Sequence, residues 1–353
     1  MELDATRTYR EDCEKVADAL AGMLADDLEA LRGTNWVVTG GTGQLGAASV
    51  NLLDALSVRQ GLGLTITAAS FDEDRFPERF CEDTRGRVAF RYYNAVDGYD
   101  LTGADYVIHA AGYGDPRSMM TNPVGILHVN IEGLDLLLEG LRQNGHGRLV
   151  YLSSGEAYGQ ARADLPAFTE DYSGPVDTME TRSCYPTAKR AGESLCRSYF
   201  AQYGVEAVVC RQCHAFGPGF GAHDSRVAAS FARSAAAGEP IVMKSTGAQV
   251  RSWCHELVAA SAHIFLAVRG EAGQAYNVAP SETASIAEFA QMLAAAGDTE
   301  VTFDVPTDAE RAGFTKVERA VLDNAKLRAR GWQQPMALAD SIDRTVTCVR
   351  EVL

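Results

Sequence analysis

The sequence predicts an α/β protein: a doubly wound parallel sheet with helices on both faces, followed by a smaller C-terminal lobe. Three observations carry this. Short apolar runs alternate with helical patterns up to about Phe216, a glycine loop joins the first run to the first covering helix, and beyond Phe216 the alternation becomes irregular and Gly/Ser-rich.

Residues from about 8 to 32 place Val16, Leu20, Met23, Leu24, Leu28 and Leu31 at helical spacing, and Gly33 can end that helix. It precedes the first strand, so residues 1–33 read as an N-terminal helical extension. The run 35–39 is a short buried strand, and a helix follows its glycine loop to about Leu56. Further strand-like runs fall at 64–69, 88–93, 106–110, 148–153 and 206–211, with helices over 125–143 and 186–203. Later helices are expected near 225–237, 255–268, 285–296 and 336–350. The short strands 240–243 and 274–278 are assigned with them to the smaller lobe.

The bulk properties narrow the partners. The chain has 353 residues and a formal charge of −15, which gives no general attraction to nucleic acid or to anionic membranes. An anionic substrate must then be held by local Arg, Lys and helix N-termini. No apolar stretch reaches the length of a membrane span, and Met1-Glu2-Leu3-Asp4 does not open a signal-peptide pattern, so a cytoplasmic protein is expected. Eight cysteines without framework spacing suit reduced thiols. Cys210 and Cys213 have CxxC spacing, but only His214 lies close, so they read as buried strand-end thiols and no metal is expected.

Two motifs carry chemistry. The first, Thr39-Gly40-Gly41-Thr42-Gly43-Gln44-Leu45-Gly46, leaves a strand and opens a helix. Gly40 suits a tight turn, Gly43 close approach of a pyrophosphate to backbone, and Gly46 close helix–sheet packing, as in a Rossmann-like dinucleotide site. The second is Tyr185-Pro186-Thr187-Ala188-Lys189, whose spacing puts phenol and ammonium on one helix face. A cationic Lys189 favours the phenolate, so Tyr185 can accept a hydroxyl proton while hydride leaves the same carbon. This segment follows Ser153-Ser154-Gly155-Glu156-Ala157-Tyr158-Gly159, at the carboxyl end of the fifth strand, where ligands of open α/β sheets gather.

In this order and spacing, TGxxGxxG, SSxxxYG and YxxxK resemble the extended short-chain dehydrogenase/reductase superfamily of nucleotide-sugar epimerases and dehydratases. The resemblance runs from about residue 34 to 345. It implies an NAD-binding Rossmann domain mainly in 34–215 and a substrate-binding lobe mainly in 216–353, with interleaved segments. It also implies a Ser154, Tyr185 and Lys189 triad, with Lys189 on the nicotinamide ribose. His109-Ala110-Ala111-Gly112 looks like the cofactor-lining loop, Ser70 ends the second strand near the adenosine, and Asn130 falls in the substrate region. Arg211-Gln212-Cys213-His214-Ala215-Phe216-Gly217-Pro218 is similar to the family's RxFNxYGP, with His214 replacing asparagine. Asp224-Ser225-Arg226-Val227, Arg251-Ser252-Trp253 and Arg182-Ser183-Cys184-Tyr185 resemble segments of UDP-glucuronate decarboxylases, and imply phosphate or carboxylate contacts for Arg226, Arg251 and Arg182.

The same resemblance bears on the reaction. Oxidising a sugar hydroxyl to a ketone acidifies the neighbouring C–H and destabilises a β-carboxylate. Ser154-Gly155-Glu156 keeps the glutamate that serves relatives as a base and lacks the aspartate that dehydratases use as an acid. A decarboxylase- or dehydratase-like lyase is therefore expected over a 4-epimerase, with His214 a candidate acid if water leaves. A dehydratase acting on an unusual nucleoside-type sugar is a further alternative, as is an inert cofactor-binding regulator. NAD is the expected cofactor. NADP is the alternative because Asp72 falls late after the second strand and Arg75 could meet a 2′-phosphate. Homodimerisation through helices 125–143 and 185–203 is implied.

Overall fold

A computed structural model describes residues 4, 6–221, 224–304 and 319–353, so the reading of Met1–Leu3 lies outside the described residues. The strands are β1 (Asn35–Thr39), β2 (Thr65–Ser70), β3 (Val88–Tyr92), β4 (Tyr106–His109), β5 (Arg148–Ser154), β6 (Glu206–Gln212), β7 (His214–Phe216), β8 (Ile241–Met243), β9 (Val250–His255), β10 (Ala275–Val278), β11 (Thr283–Ser285), β12 (Val301–Phe303) and β13 (Arg319–Ala320). The longer helices are α1 (Arg7–Met23), α2 (Gln44–Gln60), α3 (Pro123–Asn144), α4 (Cys184–Tyr203), α5 (Val227–Ala237), α6 (Glu256–Arg269), α7 (Ile286–Gly297) and α8 (Leu338–Arg350).

Seven strands form the main sheet in the order β3-β2-β1-β4-β5-β6-β10, with every pairing parallel. Its inner strands are near-continuous apolar runs because helices cover both faces. One face takes α2 and α6, with α1 laid over them. The other takes α3 and α4, whose Leu134, Leu137, Leu138 and Cys196 join the side chains of β4, β5 and β6. The chain moves to one side of β1 for β2 and β3, then crosses to the other side for β4. The helices that follow β1 and β4 therefore cover opposite faces, and this switch point at the carboxyl edge is where open α/β sheets bind their ligands.

Three expectations are corrected. The single helix over 8–32 is two, Arg7–Met23 and Leu28–Leu31. Asp26 and Asp27 follow the first helix, where its dipole disfavours anions, and Arg269 holds Asp27 at 2.6 Å. The strand at 274–278 belongs to the main sheet, not the smaller lobe, because it pairs parallel with β6 from Val209 to Gln212. The helix at 255–268 likewise packs on α2 and α1, buried on every side along most of its length. The smaller lobe keeps its own core, in which Phe216, Phe231, Trp253, Phe289 and Ile342 pack together and Trp253 stacks on Phe289 at 4.1 Å. Cys210 and Cys213 are both buried, and the neighbour of Cys213 is Cys254.

Candidate active site

The glycine loop after β1 is built by close approach. Gly40 has φ 68°, and a Cβ there would stand 2.6 Å from the Ala111 amide nitrogen, so only glycine lets the loops after β1 and β4 touch. A Cβ on Gly46 would reach 2.1 Å from the Gly40 carbonyl oxygen. Gly46 thus packs the helix against its own loop, a correction to the expected contact with the sheet. Gly43 caps α2 with extended backbone, and the first amides of α2 point out of the helix end. A Cβ at Gly43 would meet only the Gly40 carbonyl, one at Gly112 only the Lys189 ammonium, and one at Gly114 only the Tyr185 hydroxyl, each at 3.2 Å or more. An uncrowded backbone trough therefore runs from the helix end to Tyr185, and this suits a dinucleotide laid along it.

Several expected cofactor side chains support the trough from behind. Thr42 and Ser70 are buried and hydrogen-bond each other at 2.8 Å, tying the loop to the end of β2. Leu45 and Ala110 pack against the main core, while Ala111 packs against the core on the opposite face. His109 is bonded through Nδ1 to Thr39 at 2.7 Å. Burial, then the nearby Lys189, pulls its pKa down to about 3, so the ring is neutral.

Beside the trough, β5 ends in Ser154 and α4 begins with Tyr185 in its first turn. The Ser154 hydroxyl hydrogen-bonds Tyr185 and accepts the Glu156 amide at 3.2 Å. Desolvation, then the Glu156 charge, raises the Tyr185 pKa to about 12, while Ser154, Arg182 and Arg226 oppose this. Lys189 is buried one helical turn on. It donates to the Leu152 carbonyl at 2.7 Å and lies 5.7 Å from the Tyr185 ring centre. Burial draws its pKa down to about 7, against the pull of Glu193. Ser154, Tyr185 and Lys189 thus stand together, and a cation bound beside Tyr185 would favour the phenolate.

Glu156 and Arg182 face each other as a two-point fork, at 2.8 and 2.9 Å, with both side chains partly exposed to the cleft. The sequence singled out each of them but not the pair. From the smaller lobe, β7 supplies His214 and β9 supplies Arg251. Arg226 precedes α5 and is held by Asp224 and by the Gln44 side chain. Arg251 donates to Gln249 at 2.8 Å and, among the described residues, pairs with no carboxylate. Desolvation lowers its pKa and the charge of nearby Glu156 acts against this, so the half-buried guanidinium has a carboxylate in its surroundings but no ion pair among the described residues. His214 packs beside Trp253, and its Nδ1 is buried without a partner among the described residues. Burial, then Arg251 and Arg226, brings its pKa down to about 3. His214 is therefore neutral, and the expectation that it supplies an acidic proton is corrected.

Asn130, expected in the substrate region, is a further correction. It is fully buried, donating to the Ile126 carbonyl at 2.8 Å and accepting from the Tyr151 hydroxyl at 3.0 Å. Its side chain orders α3 against β5 and does not reach a substrate. Glu256, buried and bonded to Gln44, and Tyr9, which hydrogen-bonds Glu256, are not marked by any sequence motif. The available signal was a lone glutamate opening the apolar helix Glu256–Arg269.

Comparison with known proteins identifies the family of the chain. Residues 36–279 match the model of the NAD dependent epimerase/dehydratase family. UDP-glucuronic acid decarboxylase 1 of Xenopus tropicalis is 27% identical over 70% of this chain and 58% of its own length. GDP-6-deoxy-D-mannose reductase of Pseudomonas aeruginosa is 30% identical over 67% of this chain and 78% of its own. The chain spans about half the length of the decarboxylases it matches. Among solved structures, an epimerase of Methanothermobacter thermautotrophicus superposes with a TM-score of 0.78 at 22% identity, covering 94% of this chain and 96% of its own. The dTDP-glucose 4,6-dehydratase DesIV of Streptomyces venezuelae does so with a TM-score of 0.75 at 22% identity, over 90% and 97%.

Proposed function

Because the chain belongs to the NAD dependent epimerase/dehydratase family, we propose that it oxidises one hydroxyl of a nucleotide-activated sugar to a ketone and then removes a group at the neighbouring carbon. The observation that carries this reading is the Ser154, Tyr185 and Lys189 cluster standing beside the Glu156–Arg182 fork at one end of the glycine trough. Bound NAD supplies the acceptor for the hydride that leaves the sugar carbon. Tyr185, as phenolate, takes the hydroxyl proton, Ser154 holds the same oxygen, and the Lys189 ammonium stabilises the phenolate. In a dehydration Glu156 takes the proton from the carbon next to the ketone and hands it to the departing hydroxyl, which leaves as water; in a decarboxylation the carboxylate on that carbon leaves as carbon dioxide and the enolate takes a proton from water. In either case the hydride returns to the sugar, and Arg182 turns from Glu156 to a substrate carboxylate or phosphate. Arg251, which forms no ion pair among the described residues, receives the diphosphate.

Epimerisation is the second reading, favoured by the fork itself, since Arg182 occupies both oxygens of the Glu156 carboxylate. The same proposal puts the enzyme in the cytoplasm. Among the described residues no helix is long and apolar enough to cross a membrane. It is also a homodimer through α3 and α4, on which Leu136 and Tyr203 stay exposed. The test supplies NAD with UDP-glucuronate, dTDP-glucose or UDP-glucose in turn and identifies products by NMR. A decarboxylated or dehydrated sugar is expected from one of them. An epimer alone would favour the second reading, and no reaction with any sugar nucleotide would contradict the proposal.

A further inference from the structure

A buried chain of polar side chains links α1 to the glycine trough. The Glu256 carboxylate, fully buried at the start of α6, accepts the Gly219 amide at 3.0 Å and the Gln44 side-chain amide at 2.8 Å. The Tyr9 hydroxyl of α1 hydrogen-bonds the same carboxylate and is itself buried. Gln44 is the first residue of α2, and its carbonyl end accepts from Arg226 Nη2 at 2.6 Å. A Cβ on Gly217 or Gly219 would come within 2.7 Å of Glu256, so the loop after β7 is moulded to the carboxylate. None of this touches the reacting centre, yet it joins the cofactor loop, the smaller lobe and a helix outside the family match.

We propose that Tyr9 and Glu256 are positioning residues, fixing Gln44 at the head of the dinucleotide helix and, through Gln44, the guanidinium of Arg226. The inference rests on reading the trough and Arg226 as the cofactor and substrate sites. The warrant is the one-way chemistry of an amide. An ionised Glu256 offers only acceptors, so Gln44 must give it the NH₂ end and turn its carbonyl to Arg226. A protonated Glu256 can donate instead. It then lets the amide turn over and present NH₂ to the guanidinium, which has no acceptor, and the link fails. Five groups face Glu256: Tyr9 and Cys13 from α1, Arg79 ahead of β3, Arg226 before α5, and Cys348 from α8. Burial lifts the Glu256 pKa to about 7, with Gln44, Arg79, Gly219 and Tyr9 acting against it. The ionised form that orients Gln44 is therefore gained near neutral pH.

The experiment titrates NAD into the whole wild-type chain, Glu256→Gln and Tyr9→Phe between about pH 6 and about pH 8. Amide exchange of residues 40–46 and 217–219 is followed alongside, without ligand, and thermal melting monitors folding. Wild type should bind NAD several-fold more tightly at the higher pH, and Glu256→Gln should lose that dependence. Tyr9→Phe should move the midpoint upward and bind about tenfold more weakly near neutrality, the effect of losing one hydrogen bond to a charged group. Exchange at 40–46 and 217–219 should quicken in both variants while the rest of the chain stays protected. Unaltered NAD affinity and pH profile in both variants would overturn the inference, as would exchange that rises evenly along the chain. A wild-type chain that binds no NAD would overturn the cofactor reading beneath it, a failure told apart because it needs no substitution.

Discussion

Tyr185 sits in a conflict that the substrate and cofactor must resolve. Desolvation and Glu156 hold its phenol protonated at neutral pH, while the buried Lys189 loses its proton readily for the same reason. Replacing Tyr185 with phenylalanine removes the proposed proton acceptor and leaves the glycine loop untouched. Turnover should fall by about three orders of magnitude or more, with NAD affinity near wild type by titration. Turnover close to wild type would remove Tyr185 from the triad. Glu256 carries the opposite kind of strain, and its sign can be worked out. Its folded pKa of about 7 lies above the ordinary 4.5, so its contribution to stability is fully present below about pH 4.5 and is lost as the pH rises through about 7. Glu256→Gln cannot ionise. The stability difference between the variant and wild type should therefore shift in the variant's favour as the pH rises from about 5 to about 7, by about 3 kcal/mol at most, and thermal melting across that range reads it. A difference independent of pH would show that the carboxylate is already ionised at the lower end.

At the scale of elements, the glycine turn and its helix act as one unit. Gly46→Ala puts a methyl group 2.1 Å from the Gly40 carbonyl, and no rotamer change can relieve a backbone clash. The cost should be about 1–3 kcal/mol or more by thermal melting, with NAD binding lost, because the amides at the head of α2 must move. Full NAD affinity in that variant would place the cofactor elsewhere. The strands of the main sheet were legible because buried parallel strands are plain apolar runs bounded by turns. The small sheets were not. His214–Phe216 and Thr283–Ser285 are too short for any period to emerge, and β9 reaches both only by folding. The break in the N-terminal helix was readable from Asp26 and Asp27, had the dipole been weighed against the leucine spacing.

Across the whole molecule, the main sheet has a core on each face and the smaller lobe a core of its own, and the groups proposed for chemistry come from both the sheet and the lobe. The sequence named Ser154, Glu156, Arg182, Tyr185, Lys189, His214, Arg226 and Arg251 as candidates from local motifs, and the fold brings them to one cleft. Motifs could not disclose the pairings. Glu156 and Arg182 are 26 residues apart, Gln44 and Glu256 212 apart, and only tertiary packing joins them. Asn130 shows the reverse, a polar residue in a promising place whose two hydrogen bonds face inward. The central claim is that a sugar hydroxyl is transiently oxidised beside Tyr185 and that Glu156 acts on the result. The most direct measurement mixes NAD-loaded Glu156→Gln with the sugar nucleotide that wild type consumes and follows the absorbance of reduced nicotinamide. The amide keeps the shape of Glu156 without its basicity, so reduced cofactor and a keto-sugar should accumulate on the enzyme while product release stalls. Steady turnover at the wild-type rate, with no build-up of reduced cofactor, would contradict the account.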